Sequence, residues 1–183
     1  MMMAPPVRKV VLATHLTCSV GWIGGVVAFL TLVLLAQGTQ DGDTLRGSWI
    51  AMDAVGRFAL VPLSIASLVT GVVMSLGTKW GLFRHYWVVI SLVLTAVAVY
   101  VLVSNMQAVR FFADMAAEPD SDLTMLRRGL QSELLHGGAG LVVLLVIQVL
   151  NIFKPKGVTP YGWRKQQEQR AGTGARREVL SDP

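Results

Sequence analysis

Three histidines and one cysteine carry the most versatile chemistry in this chain, and every histidine lies in or at the mouth of a long apolar stretch. His15 sits inside the first stretch, His85 opens the third and His136 opens the fourth. Imidazole moves protons near neutral pH and ligates metals. An ionisable group at membrane depth is costly, which makes each of the three a functional candidate. His15 shares one helical face with Cys18, Trp22, Gly25 and Phe29. A histidine and a cysteine on one face suit a soft metal such as copper. Alternatively, His15 is an axial ligand of haem b, with Gly25 leaving room for a flat macrocycle near Trp22. A plainer reading is a buried imidazole hydrogen-bonded to a carbonyl or a Ser/Thr of a neighbouring helix. His85 follows Arg84 and precedes Tyr86 and Trp87, an interfacial belt pattern, and is a weaker cofactor-binding partner for His15.

A second group forms around His136. Glu133 precedes it by three residues, and Asp53 with Arg57 makes an i,i+4 pair at the start of the second stretch. Together they are a candidate catalytic cluster. Arg57 can clamp an anionic group bidentately, and His136 can move a proton. The plainer reading is a solvated helix mouth, where exposed ion pairs contribute little.

The elements that must position these residues are four apolar runs: Val10–Ala36, Phe58–Leu76, Tyr86–Val103 and Leu134–Phe153, none with Lys, Arg, Asp or Glu. A membrane-spanning helix needs roughly 20 mostly apolar residues. Hydrophobic residues make up 53% of the chain, and its mean hydropathy is +0.56. Both values are too high for an ordinary soluble domain of this length. The expected fold is all-α: a four-helix transmembrane bundle over residues 1–155, with spans near 10–36, 56–77, 86–106 and 134–153. The remainder, 156–183, is rich in Gly, Gln and charge and is expected to be disordered. The first apolar run exceeds the h-region of about 7–15 residues in a cleavable signal, so it reads as an uncleaved span. A single cysteine excludes an intrachain disulfide framework.

Charge orients the bundle. Eleven of the 16 Lys and Arg residues fall beside the termini and the second loop, whereas Arg46, Arg57, Arg110, Arg127 and Arg128 fall on the other side. Basic excess marks the cytoplasmic side, so both termini are expected there, in a bacterial cytoplasmic membrane. Topology and the tail account for the basic balance, and no nucleic-acid partner is needed. Gln37–Asp53 and Glu118–Asp122 have turn-like compositions. Ser121 or Asp122 can cap a short helix through Arg128 that leads into the fourth span. Lys79–Arg84 reads as a tight turn.

Small residues recur at four-residue spacing: Gly21 and Gly25, Gly24 and Ala28, Ser67, Gly71 and Ser75, Ser91 and Thr95, His136 and Gly140. Such stripes let membrane helices approach closely. With about 1.5 Å of rise per residue, His15 and His136 lie some 20 Å apart along the membrane normal. One metal ion cannot bridge that gap, because His–metal bonds are about 2 Å. The histidines therefore separate into an inner group, His15 with His85, and an outer group, His136 with Arg57 and Glu133.

Several function classes are absent. No helix carries paired His ligands, and there is no metalloprotease His-Glu pair, phosphate-cradling Gly loop or Ser nucleophile elbow. No span holds the mid-membrane carboxylate of a proton-coupled pump. Four spans without an internal repeat suit a secondary transporter only as a homo-oligomer.

His15 with Trp22-Ile23-Gly24-Gly25, Arg57-Phe58, Thr70-Gly71, the run Trp80 to Val88, His136-x-Gly138 and Lys154 to Gly162 resemble a family of small bacterial four-span membrane proteins over most of residues 8–165. That resemblance implies the fold without implying a reaction. The His15–Gly25 pattern is also similar to the copper-resistance CopD membrane domain and to HemJ-type protoporphyrinogen oxidases. The HemJ resemblance implies haem bound at His15. That family also places a lysine about four residues after a Trp, where this chain has Ser91 after Trp87.

These features point to a membrane-embedded redox or biosynthetic enzyme acting on a small molecule. Either haem or copper assists at His15, or acid/base chemistry runs at His136 and Arg57. A haem- or copper-handling protein without turnover, or an accessory subunit of a membrane complex, are the alternatives. The polar outer mouth would suit a narrower enzyme class that handles an aromatic amine or a nitrogen oxide.

Overall fold

The structure, a computed structural model, describes residues 3–77 and 81–168. Its helices are α1 (Pro5–Gly38), α2 (Gly42–Val55), a π-helical segment (Gly56–Leu60), α3 (Val61–Gly77), α4 (Tyr86–Ala116) and α5 (Leu123–Phe153). The α2, π and α3 segments join into one rod, Gly42–Gly77. That rod, α1, α4 and α5 are each long and apolar enough to cross a membrane. The protein is thus the expected all-α four-helix bundle, running up and down. The first and last described residues, 3 and 168, lie toward one end (the terminal end), and the 38–42 and 116–123 connections lie at the other (the loop end). Val20, Val27, Leu34, Val93, Val97 and Val142 are exposed on the outside. A belt of that kind needs a lipid or apolar partner rather than water.

The loop end departs from expectation. Gln37–Asp53 is not a turn-like loop, because α2 begins at Gly42. The turn-forming residue Asp41 is its N-cap, and its carboxylate accepts from the Thr44 amide at 2.9 Å. Past the cap, Leu45, Ser48, Trp49 and Met52 are buried on one face, the spacing of an amphipathic helix. Asp122 likewise caps α5 and accepts from Thr124 N–H at 2.8 Å. The helix then continues without a break through Arg128 into the fourth apolar stretch, instead of forming a separate short helix.

The α2 segment fills the loop end. The Trp49 ring stacks on Phe112 with centroids 4.7 Å apart, and its indole N–H donates to the Leu126 carbonyl at 3.2 Å. Gly129 makes room for Phe112, since a Cβ there would lie 2.7 Å from the ring. Arg46 donates to Ser121 Oγ at 3.1 Å, and Arg127 donates to the Thr39 carbonyl at 2.8 Å. Both arginines therefore tie the connections to the bundle.

Further along the rod, the π-segment preserves the buried face. Gly56, Leu60 and Ser64 are buried at successive four-residue steps. A regular α-helix would drift by about 40° at each such step, and the wider π-turn absorbs the drift. On α1, Gly21 and Gly25 receive Leu63 and Leu60. This small-residue pair is a packing device between α1 and the rod. Beside Gly24 the space is open, so the Gly24–Ala28 pair does not share that role.

Part of the segment expected to be disordered packs back on the terminal end. Thr159 N–H donates to the Arg84 carbonyl at 3.0 Å, His85 and Val158 form an antiparallel bridge, and 160–168 is helical. Gly162 lies against the Arg84 backbone, where no Cβ fits. The rest of the expected tail, 169–183, lies outside the described residues, as do 78–80 at the start of the expected Lys79–Arg84 turn. Gly81 continues that turn at φ +63°, a left-handed conformation that glycine adopts freely.

Replacing Trp49 with alanine removes the wedge, its stacking and its hydrogen bond, and is expected to destabilise the fold by about 3–5 kcal/mol. Thermal unfolding in detergent checks this, and an unchanged Tm would count against the wedge. The Asp41 carboxyl is held below its ordinary value by the Thr44 hydroxyl and amide, and Asp122 by the Thr124 amide. Both depressed groups contribute cap stability above a pH of about 3.8, which is lost as pH falls through their lowered folded values. NMR titration of the Thr44 and Thr124 amides should give midpoints below 3.8, the ordinary Asp value, and a midpoint at or above it would refute the caps.

Candidate functional site

In the half of the bundle nearer the termini, α1, α3, α4 and α5 surround a cavity of about 470 Å³. This falls within the roughly 300–1,000 Å³ of small-molecule sites. The cavity exists because α3 packs on α1 and α4, whereas α2, at the loop end, also reaches α5. The α2–α3 rod thus plugs one end and leaves the other hollow.

His15 and Trp22 of α1 both line this cavity. Intervening Ser19 also lines it, whereas Cys18 does not. The inward face of α1 therefore runs His15, Ser19, Trp22, Val26 and Phe29 at alternating steps of four and three. Trp22, Val26 and Phe29 are buried. The room that Gly25 was expected to leave for a macrocycle is occupied by Leu60, whose side chain would lie 2.8 Å from a Cβ at that position.

The imidazole of His15 is held by α3. Its Nδ1 lies 3.1 Å from the Ser67 carbonyl oxygen and 3.0 Å from Thr70 Oγ1. The Thr70 hydroxyl donates its own proton to the Ala66 carbonyl at 2.6 Å, so it can only accept from the imidazole. A carbonyl also only accepts. Nδ1 must therefore carry the hydrogen, which leaves a lone pair on Nε2 when the ring is neutral. Gly71 allows the ring to approach α3 closely, since a Cβ there would be 3.2 Å from its Cε1. Ser19 Oγ and Ser67 Oγ pair at 2.8 Å beside it.

Across the cavity, Ser91 of α4 is buried, and its Oγ has no hydrogen-bond partner among the described residues. Thr95, Gln148 and Asn151 add further polar groups to the lining, and Arg8 and Lys154 stand at the terminal end. No Asp or Glu among the described residues lines it. His85 is half-buried at the start of α4 and is absent from the lining, although neighbouring Trp87 belongs to it.

The residues expected around His136 are divided among separate contacts. Asp53 and Arg57 form an ion pair within the rod. They share a smaller pocket of about 240 Å³ with Met106, Gln107 and Arg110. Glu133 is buried at 1% exposure and accepts from the Asn105 amide at 2.7 Å. His136, one turn further, is exposed, and its Nδ1 lies 2.8 Å from the Ser132 carbonyl oxygen of its own helix. Among the described residues, no group of three or more His, Cys, Asp or Glu is placed to hold a metal ion.

Sequence reasoning found His15 and Trp22. It treated Ser67, Gly71, Ser91 and Thr95 as packing residues, quoted Thr70 and Ser91 otherwise only in the family resemblances, and did not single out Ser19 or Asn105. Each of those depends on helix pairing, which spacing within one helix cannot supply. Scans against protein-family models, characterised proteins and solved structures return no match to this chain.

The hydrogen-bond pattern at His15 predicts a single neutral tautomer. Histidine ¹⁵N NMR of the detergent-solubilised protein should show His15 protonated at Nδ1 and bare at Nε2. An Nε2–H tautomer would overturn the arrangement. Gly71→Val should displace the ring and alter these shifts while leaving those of His136 unchanged.

Proposed function

We propose that this integral membrane protein holds a small molecule at His15 and acts on it, as a membrane-embedded redox or biosynthetic enzyme. One observation carries the reading: α3 takes up Nδ1 and leaves Nε2 available at a mainly apolar cavity with a few polar groups in its wall. A ring orientated through Nδ1–H to a carbonyl is the arrangement that prepares an Nε2 base or ligand. As a base, Nε2 takes a proton from the bound molecule. The Nδ1–H bond to Ser67 and Thr70 then supports the imidazolium that results. The apolar walls around it exclude water and strengthen that interaction. The charge bias of the sequence supports a cytoplasmic terminal end, so the cavity would open toward the cytoplasm.

A second reading is that His15 Nε2 ligates haem iron, favoured by the same Nδ1–H contact. Haem would supply one-electron chemistry, while this chain would contribute the ligand, its orientation and an apolar surround. Copper fits less well. His15 and Cys18 are only two donors, and the cysteine does not line the cavity. Chemistry at His136 and Arg57 has less support, because each is engaged within its own helix.

The test is the content of the purified protein. Gentle detergent extraction, absorption spectroscopy and mass spectrometry of the organic extract should find a co-purifying small molecule that falls about tenfold in His15→Ala. A Soret band lost in that variant would select the haem reading. Equal small-molecule content in wild type and His15→Ala, with no Soret band in either, would refute a His15 site and favour an accessory-subunit role.

A further inference from the structure

We infer that the His15 cavity takes a neutral, lipid-soluble phenol with a second oxygen on its ring, of the quinol or alkoxyphenol kind, whose O–H donates to His15 Nε2 and whose second oxygen accepts from Ser91. This rests on the cavity being the working site and adds the class of molecule that enters it. Hydrogen-bond polarity is the first argument. Because Nδ1–H is taken up by Ser67 and Thr70, a neutral His15 offers only an acceptor, Nε2. Ser91 is 7% exposed, and its Oγ has no hydrogen-bond partner among the described residues. Its hydroxyl therefore lacks an acceptor, and leaving a buried donor unmet is unfavourable. Ser91 lies about 7.5 Å along α4 from the terminal end, and Thr70, which holds His15, about 10.5 Å along α3 from the same end. A bound molecule that meets both groups carries a donor for one wall and an acceptor for the other, at similar depth.

Charge is the second argument. No Asp or Glu among the described residues lines the cavity, so a cationic ligand finds no carboxylate there. Arg8 and Lys154 belong to the terminal end of the lining, and Arg8 precedes His15 by seven residues, about 10 Å along α1. The groups beside the imidazole, Ser19, Ser67 and Thr70, are neutral. An ionised head at that depth would be buried without a counter-charge, which is strongly unfavourable. A neutral donor remains. Carboxylic acids are ionised at neutral pH, thiols are weak donors, and alcohols and amides hold their protons too tightly for an imidazole to draw on. Phenols ionise in the range of tyrosine, within reach of a histidine base.

The walls and their opening are the third argument. Trp22, Leu68, Met74 and Leu92 are among the apolar lining, and indole and thioether groups both pack well against an aromatic ring. Leu12, Leu16 and Ile152 line the cavity and are exposed as well. The cavity is therefore open at these side chains, and Leu16 lies in the apolar run of α1 that is long enough to cross the membrane. An opening at that level admits a molecule dissolved in the bilayer.

The test is a matched set of probes titrated calorimetrically into the full-length protein in neutral detergent. 4-Hexyloxyphenol has both oxygens, its methyl ether lacks the O–H, and 4-heptylphenol lacks the second oxygen. The first should bind saturably, and each of the others about tenfold more weakly. In histidine ¹⁵N spectra, 4-hexyloxyphenol should move the Nε2 resonance of His15 from its bare position, and the methyl ether should leave it in place. Ser91→Ala should lower the affinity for 4-hexyloxyphenol to that for 4-heptylphenol. Without ligand its Tm should be unchanged or raised, because no hydrogen bond of Ser91 Oγ is lost. Equal affinity for the phenol and its methyl ether, an unchanged preference for the second oxygen in Ser91→Ala, or tighter binding of 4-hexyloxybenzoate than of the phenol overturns the proposal. A phenol-over-ether preference that survives His15→Ala overturns the contact with Nε2. Should the probes fail while the co-purified molecule still falls in His15→Ala, the ligand class is wrong and the His15 site stands.

Discussion

The insertion of α2 into the loop end decides where this bundle is solid and where it is hollow. Trp49 stacks on Phe112 and donates to a carbonyl of α5, bringing the first half of the rod against α5. Past the π-segment the rod packs on α1 and α4. Leu60 and Leu63 close onto Gly25 and Gly21 as it passes. Beyond that level the faces of α1, α3, α4 and α5 enclose space, and His15 lies in its wall. The cavity thus follows from how one kinked rod lies across three other helices.

Polar groups in an apolar surround must find partners, and this requirement organises the rest. The serines and threonines along α1, α3 and α4 largely return their hydroxyls to carbonyls one turn back, as Ser75 does to Gly71 and Thr95 to Ser91. His15 does not do so within its own helix and turns to α3. The protonation pattern follows from the neighbours, since the Ser67 carbonyl can only accept and the Thr70 hydroxyl proton goes to the Ala66 carbonyl. Glu133 meets the same requirement through Asn105. Ser91 Oγ and one oxygen of Asp53 are the exceptions among the described residues. The former faces the cavity side of the bundle, and the latter belongs to the smaller pocket with Arg57 and Arg110.

The histidines illustrate how far pattern alone reaches. Their division between two ends of the bundle was legible from helical rise and from the alternation of spans. Their roles were not. His15, His85 and His136 look alike as isolated imidazoles near apolar runs, yet one is held by another helix, one starts a helix beside the returning chain, and one hydrogen bonds within its own turn. Cys18 shares the broad face of His15, but Ser19, one residue further, is the position that enters the cavity lining. A turn of 100° per residue leaves both candidates near one face, and the partner helix selects between them.

The sequence by itself determined four apolar runs, their up-and-down order, the small-residue pair Gly21 and Gly25 in the first run, and His15 as the residue to follow. These are properties of composition and period, which act within one helix and are complete before helices meet. It concealed α2, because Gly, Asp and Thr at a helix start look the same as Gly, Asp and Thr in a loop. It also concealed the return of 157–168, where a backbone bridge to His85 and a close approach at Gly162 depend on a partner far away in the chain. Only the tertiary structure decided that Nδ1 of His15 is occupied and that a cavity opens between the helices in the terminal half of the bundle. Such features arise between helices, from pairing and from space left unfilled, and neither is a property of any single stretch of residues.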